Sequence, residues 1–128
     1  MKALLLIAHG SRKSSSNEEV AILAAKLKAT INDDKDDNNE DDFSIVMACF
    51  LELAHPLIPE GLDQCVLLGA SEIYVVPYFL SAGRHVVKDV PGEISVWQDQ
   101  NPNINVYQKP YVGSSNMMLS LIKDSLNC

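Results

Sequence analysis

Apolar runs of strand length alternate with amphipathic runs of helix length along this chain, and that order leaves few folds open to it. Residues 3–8 (ALLLIA) are apolar without interruption, as a strand covered on both faces should be. Residues 17–31 then place Val20, Leu23, Ala24, Leu27 and Ile31 at i, i+3, i+4 spacing, which predicts a first helix. Further strands are expected at 44–51, 72–77 and 104–107. A second helix should open at Pro56 and close at Gly69, since proline suits a first turn and glycine a left-handed helix end. After a loop at 78–84 and a short helical segment with His85, a third helix starts through Pro91, carries Ile94, Val96 and Trp97, and stops at Asn101 and Pro102. A closing helix at 114–126 carries Met118, Leu119, Leu121, Ile122 and Leu126. Right-handed crossovers turn this β-α-β-α-β-α-β-α order into a doubly wound α/β fold, a parallel four-stranded sheet with helices on both faces, for which we expect strand order 2-1-3-4.

The 128 residues fit one domain spanning 1–128, and 47% hydrophobic content suffices for its core. The net charge of -7 is concentrated: residues 33–42 hold seven acids and only Lys35. With no apolar residue, 32–42 is expected to be a solvated loop. Low aromatic content (6%) and the acidic balance argue against a nucleic-acid partner. Cys49, Cys65 and Cys128 show no C-x-x-C spacing, which suits reduced cysteine in a cytoplasmic protein. The apolar start is cut by Gly10, Ser11 and Arg12 before it reaches signal-peptide or membrane-spanning length, so no membrane association is expected.

Strand order 2-1-3-4 opens a crevice between the C-terminal ends of strands one and three, and His9 and His85 border it. Neighbouring strands lie about 4.8 Å apart, so Glu52, at the end of strand two, comes within reach of His9. Two imidazoles and a carboxylate suit a divalent first-row metal such as cobalt, nickel, iron or zinc, without the sulfur ligands of structural zinc. A neutral imidazole also accepts a proton near neutral pH. Arg12, Lys13, Arg84 and Lys88 surround the histidines and suit an anionic ligand. A phosphoryl-transfer site at SRKSSSN lacks both a G-x-G-x-x-G turn and a Walker lysine, and Ala8 stands where histidine phosphatases carry arginine.

Three segments in order, LLLIAHGSR, FLELAHPLIPEGL and VVPYFLSAGRHVVKDVP, resemble the small sirohydrochlorin chelatases of cobalamin and siroheme synthesis, half-length members of the class II chelatases. The resemblance implies that His9 binds the metal and accepts protons, that His85 is a second ligand, and that Leu80, Ser81, Ala82, Gly83, Arg84 and His85 line the tetrapyrrole. It also implies a homodimer, with the metal (Co2+, alternatively Fe2+ or Ni2+) as substrate and no organic cofactor. Gly10, Ser11 and Arg12 are further substrate-contact candidates, the two glycines Gly10 and Gly83 letting the backbone approach the ring. Family members often carry glutamate directly before the proline of the second segment, where this chain has His55. Either His55 joins the metal site or Glu52 supplies the carboxylate, the second being preferred. A non-catalytic tetrapyrrole or metal carrier would use the same ligands and is the alternative function.

Overall fold

The computed structural model describes residues 1–32 and 42–127, without the side chains of His85 and Val86. Most of the expected acidic loop at 32–42, and Cys128, therefore lie outside the described residues. Four strands, β1 (Lys2–Ala8), β2 (Phe43–Phe50), β3 (Glu72–Pro77) and β4 (Asn105–Gln108), form one sheet in the order β2-β1-β3-β4. Every pairing is parallel. The helices are α1 (Ser14–Thr30), α2 (Ile58–Leu67), α3 (Val90–Gln100) and α4 (Met117–Ser125).

β1 is central and is buried from Ala3 through Ala8, as its unbroken apolar run requires. Its odd-numbered side chains Ala3, Leu5 and Ile7 pack with Cys49, Ile73 and Val75, beneath Ile58 and Leu62 of α2 and Ile94 and Trp97 of α3. On the other face Leu6 and Ala8 join Ala48 and Phe50 beneath Val20 and Ala24 of α1. Gly61 lets α2 lie close to β2, because a Cβ there would stand 2.8 Å from that of Cys49. The register sets Ala8 beside Phe50 and Ile7 beside Pro77, so the residues just after β1, β2 and β3 emerge at one edge of the sheet.

The strands fall within one residue of expectation, and three helices differ by more. α1 begins at Ser14, ahead of Asn17, in a serine run whose lack of apolar side chains hides it from a periodicity reading. α2 begins at Ile58 and not at Pro56: the His55-Pro56 bond is cis and sits in a turn, and Pro59 takes the first-turn position. Gly69 does close that helix region in a left-handed conformation, φ +109°. The closing helix is shorter than 114–126, starting at Met117 after a 3-10 turn (Val112–Ser114), and no residue of it is buried.

Candidate active site

At the end of β1 the chain turns sharply at Gly10, whose φ of +98° is a conformation L side chains avoid. The turn is pressed against the loop that follows β2. The Leu51 amide donates to the Ala8 carbonyl at 2.9 Å and the Glu52 amide to the His9 carbonyl at 3.0 Å, extending the β1–β2 ladder past both strands. A Cβ on Gly10 would lie 1.7 Å from the Glu52 carbonyl oxygen. The glycine is thus required by contact between two strand-end loops, a reason independent of any ligand.

That contact brings His9 and Glu52 together: Nε2 of His9 lies 2.7 Å from Oε1 of Glu52. An ionised carboxylate only accepts, so the ring nitrogen donates, and the carboxylate fixes the orientation of the imidazole. Both side chains face solvent, 41% and 53% exposed. Leu53, in the same loop, holds a positive φ of 67°.

The loop carrying Ser11, Arg12 and Lys13 is held by Asn17, which the sequence reading missed. Its Oδ1 accepts from the Ser11 amide at 3.0 Å and its Nδ2 donates to the Ser11 carbonyl at 2.8 Å. The Ser11 hydroxyl in turn accepts from the Lys13 amide at 3.1 Å. Arg12 and Lys13 are exposed. An asparagine one turn into a helix that follows a strand-end loop was the available signal.

Behind β3, the Tyr78 amide donates to the Ile7 carbonyl at 2.7 Å, so this loop too starts from the central strand. Leu80 is 72% exposed, and Ser81, Ala82, Gly83 and Arg84 are exposed beyond it. Nothing lies within 4 Å of a Cβ built on Gly83. The loop is fixed at its base by Gly113, another residue sequence reasoning missed: the Gly113 amide donates to the Phe79 carbonyl at 2.9 Å, and a Cβ there would meet the Leu80 carbonyl oxygen at 1.8 Å. His85 opens a π-helical turn (His85–Asp89) that runs into α3, a local geometry frequent at functional sites. Its side chain, and so its expected convergence with His9, lies outside the described residues.

His55 is paired elsewhere. Its Nδ1 lies 2.7 Å from Oε1 of Glu60, which also accepts from the Leu57 amide at 2.9 Å. The amide hydrogen bond first, and His55 second, hold the Glu60 carboxyl below its usual value. His55 thereby serves the start of α2. Glu52 instead lines a cleft of about 790 Å³ between α2 and α3, with Pro59, Lys88, Glu93, Val96 and Trp97. Asp89 also borders it, so carboxylates outnumber Lys88 there, and the expected basic surround is not found on this side. Among the described residues no three His, Cys, Asp or Glu side chains form a metal-holding group. Of the expected set, His9 and Glu52 are the two that stand together among the described residues.

The family model described as CbiX matches residues 3–127. A sirohydrochlorin ferrochelatase of Priestia megaterium is 29% identical over 99% of this chain and 44% of its own length. A sirohydrochlorin cobaltochelatase of Methanocaldococcus jannaschii is 34% identical over 79% of this chain and 64% of its own. SirB from Bacillus subtilis with Fe3+ superposes with a TM-score of 0.72 at 32% identity, covering 85% of this chain and 40% of that one. A cobalamin-biosynthesis CbiX protein from Marinobacter aquaeolei VT8 shares the fold with a TM-score of 0.76 at 24% identity, over 99% and 95% of the two chains. The chain thus spans less than two thirds of the curated relatives it matches.

Proposed function

Because this chain belongs to the CbiX family, whose model spans residues 3–127, we propose that it is a chelatase inserting a divalent metal into sirohydrochlorin or a closely related tetrapyrrole. The observation that carries the proposal is the His9–Glu52 pair, 2.7 Å apart at the C-terminal edge of β1 and β2. Insertion removes two pyrrole protons while the metal exchanges protein ligands for ring nitrogens, so the site must offer a base and a loosely held perch. His9 serves both tasks, with its ring oriented by Glu52, and His85 is assigned as the second ligand. Glu52 supplies the carboxylate of the set, and His55, paired with Glu60, stays outside it. Exposed donors suit a metal that has to leave again.

Cobalt is the first candidate metal, in line with the 34% identical cobaltochelatase relative, with iron and nickel following. Gly10, Ser11 and Arg12 on one side and Leu80 to Arg84 on the other form the rim that receives the macrocycle, the arginines meeting its carboxylates. A flat macrocycle needs two walls, so one chelatase-like domain works as a homodimer, in the cytoplasm. No helix of the described residues is long and apolar enough to cross a membrane.

The test is absorbance of sirohydrochlorin in large excess over protein, with Co2+, Fe2+ or Ni2+ in turn. Conversion of many equivalents per chain, above the protein-free rate, is expected. Spectral change that stops at one equivalent would identify a carrier and overturn the proposal.

A further inference from the structure

The loop that joins β1 to α1 is fixed without packing of its own. Arg12, Lys13 and the serines at 14–16 are exposed and Ser11 is only half-buried, so no apolar surface holds this stretch. Hydrogen bonds hold it instead, and they fall on three consecutive peptide units. The Gly10–Ser11 unit donates through the Ser11 amide to Oδ1 of Asn17 at 3.0 Å. The Ser11–Arg12 unit accepts through the Ser11 carbonyl from Nδ2 of Asn17 at 2.8 Å. The Arg12–Lys13 unit donates through the Lys13 amide to the Ser11 hydroxyl at 3.1 Å. Both peptide units flanking the Arg12 Cα are thereby bonded, and two of the three bonds come from one side chain.

An amide side chain is what such a clamp requires, since it carries a donor and an acceptor in one plane, whereas a carboxylate only accepts. Asn17 stands on α1, which Val20 and Ala24 anchor against Leu6, Ala8, Ala48 and Phe50 of the sheet. The exposed loop is therefore tied to the core through a packed helix. His9 is held from the other side, where its carbonyl accepts from the Glu52 amide at 3.0 Å, a bond in which Asn17 takes no part. Two separate devices thus hold the His9–Glu52 pair and the main chain at Arg12.

We propose that Asn17 is a positioning residue for the macrocycle: it holds the main chain at Arg12 so that the guanidinium is placed in advance for a carboxylate of the tetrapyrrole. This rests on the function proposed above, in which Arg12 belongs to the receiving rim. A guanidinium meets a carboxylate through a planar, directional pair of hydrogen bonds, so the backbone that carries it has to stand in one place. Fixing that backbone beforehand removes its ordering cost from the binding step. Proton transfer at His9 draws on the other device. Asn17 therefore governs affinity for the tetrapyrrole and leaves the insertion step alone.

The experiment is a double-mutant cycle of Asn17→Ala and Arg12→Ala on the full chain. It is read as Kd for metal-free sirohydrochlorin by absorbance titration, and as kcat for cobalt insertion at saturating tetrapyrrole. Alanine is a strong helix former and the loop buries no apolar side chain, so the variants should keep the circular dichroism of the wild type. Asn17→Ala should raise Kd about tenfold with kcat within about twofold of the wild type. Arg12→Ala should raise Kd at least as much, and adding Asn17→Ala to it should cost less than about twofold more, because residues that act through one another are not additive. A purely structural Asn17 would lower the melting temperature and leave Kd within about twofold, which would overturn the proposal, as would single effects that multiply to about a hundredfold in the double variant. A wild type that binds sirohydrochlorin without turning it over would overturn the chelatase reading, while the cycle in Kd still decides the role of Asn17. A wild type that does not bind it would overturn both.

Discussion

Replacing Gly10 by alanine tests how the His9–Glu52 pair is held. The new methyl would sit 1.7 Å from the Glu52 carbonyl oxygen, 2.9 Å from its carbonyl carbon and 3.3 Å from the Phe50 Cβ. The backbone there, at φ +98°, is one alanine avoids at a cost of about 1–2 kcal/mol. Relieving the overlap costs about 1–3 kcal/mol more if the loop yields. Together, roughly 2–5 kcal/mol is a large share of a typical stability of about 5–15 kcal/mol. Gly10→Ala should therefore melt on the order of 10 °C below the wild type by circular dichroism. Any accommodation moves the Glu52 backbone by roughly 1 Å, and misplacement of that size lowers an oriented reaction about a hundredfold, so the surviving fold should insert metal about a hundred times more slowly. Gly83→Ala is the control: a Cβ there meets nothing within 4 Å, and the melt should stay within about 2 °C of the wild type. A Gly10→Ala protein with wild-type melting and full insertion rate would refute the reasoning that contact between the two strand-end loops sets the pair.

Two further outcomes follow from charge and burial. Glu60 has a folded-state carboxyl held below its ordinary 4.5 by the Leu57 amide and His55, so its contribution is present at neutral pH and is lost as pH falls through the lowered value. Melting of the wild type against Glu60→Gln should accordingly show a wild-type advantage at pH 7 that closes in acid below 4.5; an advantage growing toward low pH would contradict it. Burial pushes the Cys65 thiol up to about 11 and that of Cys49 higher still. In a Cys128→Ser background a disulfide reagent at pH 8 should find no fast thiol in the native protein and both only after unfolding, whereas a thiol reacting within seconds would contradict the buried placement.

The sheet was legible because its signal is strong and local. An unbroken apolar run marks β1 as central, and α crossovers between such runs force parallel pairing; the order β2-β1-β3-β4 agrees with the one expected, though pairing alone does not dictate it. The His9–Glu52 approach was readable for the same reason, since residues that end neighbouring parallel strands must be neighbours. What was hidden depends on three-dimensional fit. Gly113 reads as an ordinary turn glycine until the Leu80 backbone is seen against it. Asn17 reads as a helix start until its side chain is seen closing the Ser11 loop. Pro56 looked like a first-turn residue because proline suits both that position and the turn it occupies. Lys88 counted as part of a basic surround in a linear reading, whereas folding sets it among Glu52, Asp89 and Glu93. The apolar residues of α4 mark a helix without saying what it packs against, and the fold leaves Leu119, Leu121, Ile122 and Leu126 at the surface.

The most direct measurement is the initial rate of cobalt insertion into sirohydrochlorin by His9→Ala and His85→Ala, each shown to melt like the wild type. Loss of insertion to the protein-free rate in both is the predicted result. Insertion persisting at the wild-type rate in either would contradict an account in which these imidazoles hold the metal and take the pyrrole protons.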